Sequence, residues 1–172
     1  MITITNKEFN NKVDLMLEQY EISKGEPLKR QAKATKRGTL LEDVAELLLT
    51  DHPNVEKIET QIYCPEVDDF SLVDLVVHTK TGKKVYIPVA RDLWLGTSQM
   101  DRLQVQVLKF KAGILEDHNY CYLVGDCFKD FIVAKCRKGA RKKPTVQGWV
   151  SKLWENKMLF TFEELYTHIN TI

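Results

Sequence analysis

Asp74 lies in the stretch VDLVV, with Val73 before it and Leu75, Val76 and Val77 after it. A carboxylate in so apolar a segment is costly unless it is paired or holds a cation. Glu42 stands upstream in the leucine-rich stretch LLEDVAELLL. Metal-assisted phosphodiester hydrolysis needs carboxylates held at a fixed separation, where they place cations that activate water and stabilise the leaving oxygen. Mg²⁺ prefers oxygen ligands and keeps several of its waters, so two or three protein groups suffice, and Mn²⁺ accepts the same donors. Other chemistries find no support. The chain has no Gly-rich phosphate loop, no Gly-x-Ser-x-Gly elbow and no recognisable Cys–His triad. Cys64, Cys121, Cys127 and Cys136 form no C-x-x-C pair, which disfavours a zinc site.

The elements that must position these acids follow from the pattern. Residues 70–90 read as a β-hairpin, with Lys80-Thr81-Gly82-Lys83 as its turn and Gly82 supplying positive φ. Its second strand is Val85, Tyr86, Ile87 and Val89. Phe9, Val13, Met16 and Tyr20 give residues 6–22 an amphipathic helical pattern. The basic residues 28–36 add a further helical turn. Gly38-Thr39 interrupts it, and Thr39 caps a new helix over residues 40–50, whose first turn places Glu42 and Asp43 near the positive end of the dipole. Residues 55–64 read as a strand ended by Pro65, with an acidic turn at 66–69. A helix is expected over 98–112, strands over 119–125 and 130–136, a helical turn over 146–154, an extended piece over 158–162 and a helix over 163–169. The expected fold class is α/β, a mixed central sheet flanked by helices, within one domain spanning residues 1–172.

Composition bounds the partners. The chain has 172 residues, 44% hydrophobic and 28% charged, in the range of a globular protein. No apolar run approaches the roughly 20 residues of a membrane span, and residues 1–12 carry no apolar signal core. With unpaired cysteines, this suggests a reduced, cytoplasmic setting without a membrane partner. The net charge is only +1, but the cations are clustered. Lys29, Arg30, Lys33, Lys36 and Arg37 form one run; Lys135, Arg137, Lys138, Arg141, Lys142 and Lys143 form another. Such runs present a basic face to phosphates, or are simply solvated surface. His78 shares a strand face with Asp74, although a histidine at a hairpin end is more often a surface residue.

KRGTLLEDVAELLL, then a strand, then VDLVVHTKTGKKVYIPVA resembles the core of the PD-(D/E)xK nucleases, a family that includes type II restriction endonucleases and archaeal Holliday-junction resolvases. The resemblance runs from Lys36 to Arg91. It implies that a Gly-containing turn at Gly38 opens a helix bearing Glu42, and that Asp74 on the first hairpin strand joins Glu42 as a metal ligand, with the Val89 carbonyl as a further one. The chain departs from the pattern on the second strand. The acid-x-Lys expected there is replaced by Pro88-Val89-Ala90. Three explanations stand: the catalytic groups have migrated, Ala90 is an inactivating substitution for Lys, or the site is dead and the chain is a binding module. Migrated groups would come from Arg91, Asp92, Gln99 and Asp101, or from Glu66, Asp68 and Asp69.

The resemblance implies Mg²⁺-dependent (or Mn²⁺-dependent) endonucleolytic hydrolysis of double-stranded DNA by a homodimer, as in restriction–modification, with a junction resolvase as the alternative. Glu42, Asp74 and Arg91 would be catalytic, Arg91 assuming part of the missing lysine's charge. DNA would be held by Lys29, Arg30, Lys33, Lys36, Arg37, Gln99, Arg102, Arg137, Lys138, Arg141, Lys142 and Lys143.

Overall fold

The computed structural model describes residues 2–69, 72–90, 105, 108–109, 119–125 and 158–172. In order these form α1 (Asn6–Lys24), α2 (Arg30–Thr50), β1 (Val55–Ile62), β2 (Val73–Thr79), β3 (Lys84–Ile87), β4 (Asn119–Tyr120), β5 (Tyr122–Leu123), β6 (Leu159–Phe160) and α3 (Phe162–Thr171). Residues 105, 108 and 109 are helical, within the helix expected over 98–112. The remainder of that helix, the strand expected over 130–136 and the helical turn over 146–154 lie outside the described residues.

The hairpin forms where the turn chemistry placed it. Gly82 has φ 84°, in the left-handed region where a side chain is strained. Thr79 ties the turn, its Oγ1 accepting from Lys83 N–H at 2.9 Å. β2 pairs antiparallel with β1 on one side and with β3 on the other. β3 then pairs parallel with β4, giving a mixed sheet of order β1-β2-β3-β4. The single strand expected over 119–125 is instead two short pieces, separated at Cys121. Each side of this segment has its own partner. Cys121 and Leu123 donate to Tyr86 and Pro88, while Tyr122 and Val124 donate to Met158 and Phe160. The parallel pairing of β5 with β6 thereby continues the same run of strands.

One face of the sheet carries the core. Leu75, Val77, Val85 and Ile87 pack with Phe9, Val13 and Leu17 of α1, Leu40, Val44 and Leu49 of α2, and Phe162, Leu165 and Ile169 of α3. Phe9 stacks flat on Phe162, with ring centroids 4.3 Å apart. The two helix starts are latched together. Asn6 N–H donates to Glu163 and Glu163 N–H donates to Asn6, both at 3.0 Å. Capping boxes at Thr5–Glu8 and Thr161–Glu164 satisfy the first-turn donors of α1 and α3. Gly25, at φ 79°, ends α1 within the break expected over 23–27.

α2 departs from expectation. Gly38 does not interrupt it, and the helix runs unbroken from Arg30 to Thr50. Thr39 is no cap: its hydroxyl donates back to Thr35 C=O at 3.3 Å. Glu42 and Asp43 therefore lie in mid-helix and gain nothing from the N-terminal dipole. A helical glycine costs about 1 kcal/mol, and the helix around it packs Leu40, Val44, Ala45 and Leu49 into the core, with further contacts to α1 from its first turns. Lys33 pairs with Glu21 at 3.3 Å, Arg37 pairs with Asp14, and Lys36 lies 4.2 Å from the Tyr20 ring centroid.

Candidate metal centre

Asp74 sits at the start of β2, between strands that hold it from both sides. The pairing of Ile62 with Val73 and of Thr60 with Leu75 puts Gln61 of β1 across from it. The pairing of Leu75 with Ile87 brings the chain beyond β3 alongside. Asp74 Oδ2 accepts from Val89 N–H at 2.7 Å. Asp74 Oδ1 accepts from Gln61 Nε2 at 3.1 Å. The same nitrogen donates to Glu42 Oε2 at 3.4 Å. Glu42, only 9% exposed, thus reaches the site from α2. Two carboxylates from distant parts of the chain converge on one amide nitrogen.

Hard-cation chemistry fits this donor set. Both acids present oxygen toward one point, which an N–H donor group now occupies. Mg²⁺ binds oxygen at about 2.0–2.1 Å, so each carboxylate needs to move only about 1 Å. The parallel bridge between Val89 and Leu123 uses the Pro88 carbonyl and the Ala90 N–H, leaving the Val89 carbonyl outside that ladder. Within a strand a residue's N–H and C=O point to the same side, and the Val89 N–H points to Asp74. Among the described residues no group of three or more His, Cys, Asp or Glu could hold a metal.

Gln61 was not legible as a site residue. It lies in β1 with φ 54°, the one non-glycine residue with positive φ among those described. Residues forced into the left-handed region cluster at functional sites. The available signal was register: aligning β1 against β2 places a polar side chain opposite Asp74.

The other candidates fall elsewhere or lie beyond the description. His78 Nε2 contacts Glu59 Oε2 at 2.7 Å, and this bond holds the Glu59 carboxyl below its ordinary range. His78 is therefore a cross-strand partner of Glu59. Glu66 Oε1 accepts from the Tyr86 hydroxyl at 3.5 Å, Asp69 pairs with Lys109 at 3.4 Å, and Asp68 is fully buried. Pro88 and Ala90 fill the positions of the expected acid and lysine; Ala90 is 5% exposed and lines a cavity of about 20 Å³ with Leu41, Asn10 and Val124. Of the first basic run, Lys33, Lys36 and Arg37 are turned to α1, as described above. Lys29 and Arg30 are exposed at the start of α2. Arg91, Asp92, Gln99, Asp101, Arg102 and the run of Lys135, Arg137, Lys138, Arg141, Lys142 and Lys143 lie outside the described residues. Cys64 and Cys121 are buried free thiols, and burial pushes both thiols up from their ordinary pKa.

No family model matches the chain, and no curated protein or solved structure is significantly similar to it. Among the described residues, no helix is long and apolar enough to cross a membrane.

Proposed function

We propose that the chain is a Mg²⁺-dependent endonuclease of the restriction-endonuclease-like fold, cutting double-stranded DNA as a homodimer. The observation that carries this is the convergence of Glu42 Oε2 and Asp74 Oδ1 on a single point, at 3.4 and 3.1 Å from the Gln61 amide nitrogen. The element order supports it. A helix bearing Glu42 precedes a hairpin whose first strand bears Asp74, as the resemblance to the PD-(D/E)xK nucleases implies, although Gly38 lies within that helix instead of opening it.

The residues divide the work as follows. Asp74 is oriented by the Val89 N–H, which fixes one oxygen and leaves the other facing Glu42. Glu42 stands on the buried face of α2, so its carboxylate keeps its distance from Asp74 without reorganisation. The Val89 carbonyl completes the oxygen set. Bound Mg²⁺ supplies Lewis-acid polarisation of the phosphate and a more acidic water. Arg91 takes the position closest in sequence to the missing lysine and offsets charge at the scissile phosphate. The second basic run, with Lys29 and Arg30, holds the DNA backbone. A two-fold homodimer matches the two strands of a symmetric site.

Supercoiled plasmid DNA incubated with the protein and Mg²⁺ tests this. Nicked and linear products, stopped by EDTA and absent with Asp74→Asn, are expected. Discrete fragments indicate sequence readout; cutting confined to four-way junctions indicates a resolvase. A second reading has its own support, because the buried Pro88 and Ala90 stand where the resemblance expects the acid and the lysine. On that reading, which concerns only the two motif positions 88 and 90 and not Lys84 at the start of β3, the chain binds DNA without cutting it. Inert wild type with Mg²⁺ or Mn²⁺, together with cleavage by Ala90→Lys, would replace the enzyme with this binding module.

A further inference from the structure

We infer that Gln61 is a polar lock on the carboxylate pair: its amide NH₂ holds the cation's place in the metal-free protein and must turn away for a divalent ion to enter. This rests on the reading of Glu42 and Asp74 as metal ligands. An ionised carboxylate only accepts hydrogen bonds, and the Gln61 amide donates to both acids. The amide adds no charge, so the site stays attractive to a cation. A metal ion and an N–H donor cannot share the point between the same two oxygens. The side chain is exposed at the end of β1, so it can turn without opening the core. Turned end for end, the amide presents its carbonyl, a hard oxygen donor. The left-handed backbone of Gln61, at φ 54°, is strain held at the residue that spans both acids.

Three substitutions separate the lock from the site. Gln61→Lys installs a permanent cation, Gln61→Glu replaces the donor with a third carboxylate, and Gln61→Asn shortens the side chain while tolerating the left-handed backbone. Circular dichroism checks that each is folded. Mn²⁺ binding by electron paramagnetic resonance and melting temperature with and without Mn²⁺ are the readouts. Gln61→Lys is expected to melt no lower than wild type without metal and to bind Mn²⁺ at least about tenfold more weakly. Gln61→Glu is expected to melt lower without metal, recover with Mn²⁺, and bind it at least about tenfold more tightly. Gln61→Asn is expected to melt lower without metal and to bind Mn²⁺ more tightly than wild type. Wild-type affinity in Gln61→Lys, with Asp74→Asn abolishing binding, would overturn the lock and leave the carboxylate site standing. Absence of Mn²⁺ binding in both wild type and Gln61→Glu would overturn the lock and the site together.

Discussion

Replacing Asp74 by alanine and by asparagine separates its structural role from its proposed chemical one. Alanine leaves the Val89 N–H, bonded at 2.7 Å in a residue 6% exposed, without its acceptor. An unsatisfied buried donor costs about 1–3 kcal/mol. The bond from the exposed Gln61 side chain adds about 0.5 kcal/mol. Against this, the change removes a negative charge beside Glu42, a relief of about 1 kcal/mol at a partly solvated site. The net destabilisation is about 0.5–2.5 kcal/mol, or roughly 1–10 °C in melting temperature for a chain of this size. Asparagine keeps an oxygen for Val89 N–H, and Gln61 can turn its amide to accept from the new NH₂. The bond to Val89 loses its charge assistance, about 1 kcal/mol, and the relief from Glu42 offsets that. Asp74→Asn should therefore unfold within about 1 kcal/mol of wild type in urea, while losing the melting shift that Mn²⁺ gives the wild type. Equal destabilisation by both variants would refute the assignment of the cost to a lost acceptor. A wild-type Mn²⁺ response in Asp74→Asn would refute the ligand role.

Ala90→Lys must fit a long side chain at a position 5% exposed, beside a cavity of about 20 Å³. It should lose about 1–3 kcal/mol of stability in urea unfolding and remain folded; a cooperative transition at the wild-type midpoint would contradict the packing described. Phe162→Ala removes a ring 1% exposed and stacked on Phe9, and should cost about 3–5 kcal/mol by urea unfolding. Burial pushes the His52 and His168 imidazoles below their ordinary value of 6.5. The neutral His52 ring is fixed between two backbone groups, its Nδ1 accepting from Asn54 N–H at 3.0 Å and its Nε2 donating to the Tyr166 carbonyl at 3.1 Å. A folded-state pKa below the unfolded one contributes stability that is complete above pH 6.5 and is lost as pH falls from there through the folded value. Melting temperature should drop below about pH 6.5, with a shallower slope in His52→Asn; an unchanged slope would sink the assignment.

The hairpin and the meander were legible because their determinants are local. Gly82 marks the turn, and the β-branched runs of residues 73–77 and 85–89 mark the strands. The unbroken α2 was not. Gly38 and Thr39 carry a genuine stop signal, and what overrides it is tertiary: Leu40, Val44, Ala45 and Leu49 pack into the core, while Lys33, Lys36 and Arg37 contact Glu21, Tyr20 and Asp14 of α1. The same contacts draw three of the basic residues toward α1, which a linear count of charges cannot foresee. Asp74 and Glu42 were legible as costly or oddly placed acids. Gln61 was not, because its backbone conformation and its two bonds depend on strand register and helix position together. The division of residues 119–124 into two paired pieces likewise depends on having a strand on each side.

A crystal of the protein soaked in Mn²⁺, with diffraction recorded at a wavelength where manganese scatters anomalously, tests the central claim directly. The account predicts an anomalous peak about 2.2 Å from both Glu42 Oε2 and Asp74 Oδ1, with the Gln61 NH₂ displaced from its place between them. Clear density for Gln61 still bridging the two carboxylates, with no peak beside it, would contradict it.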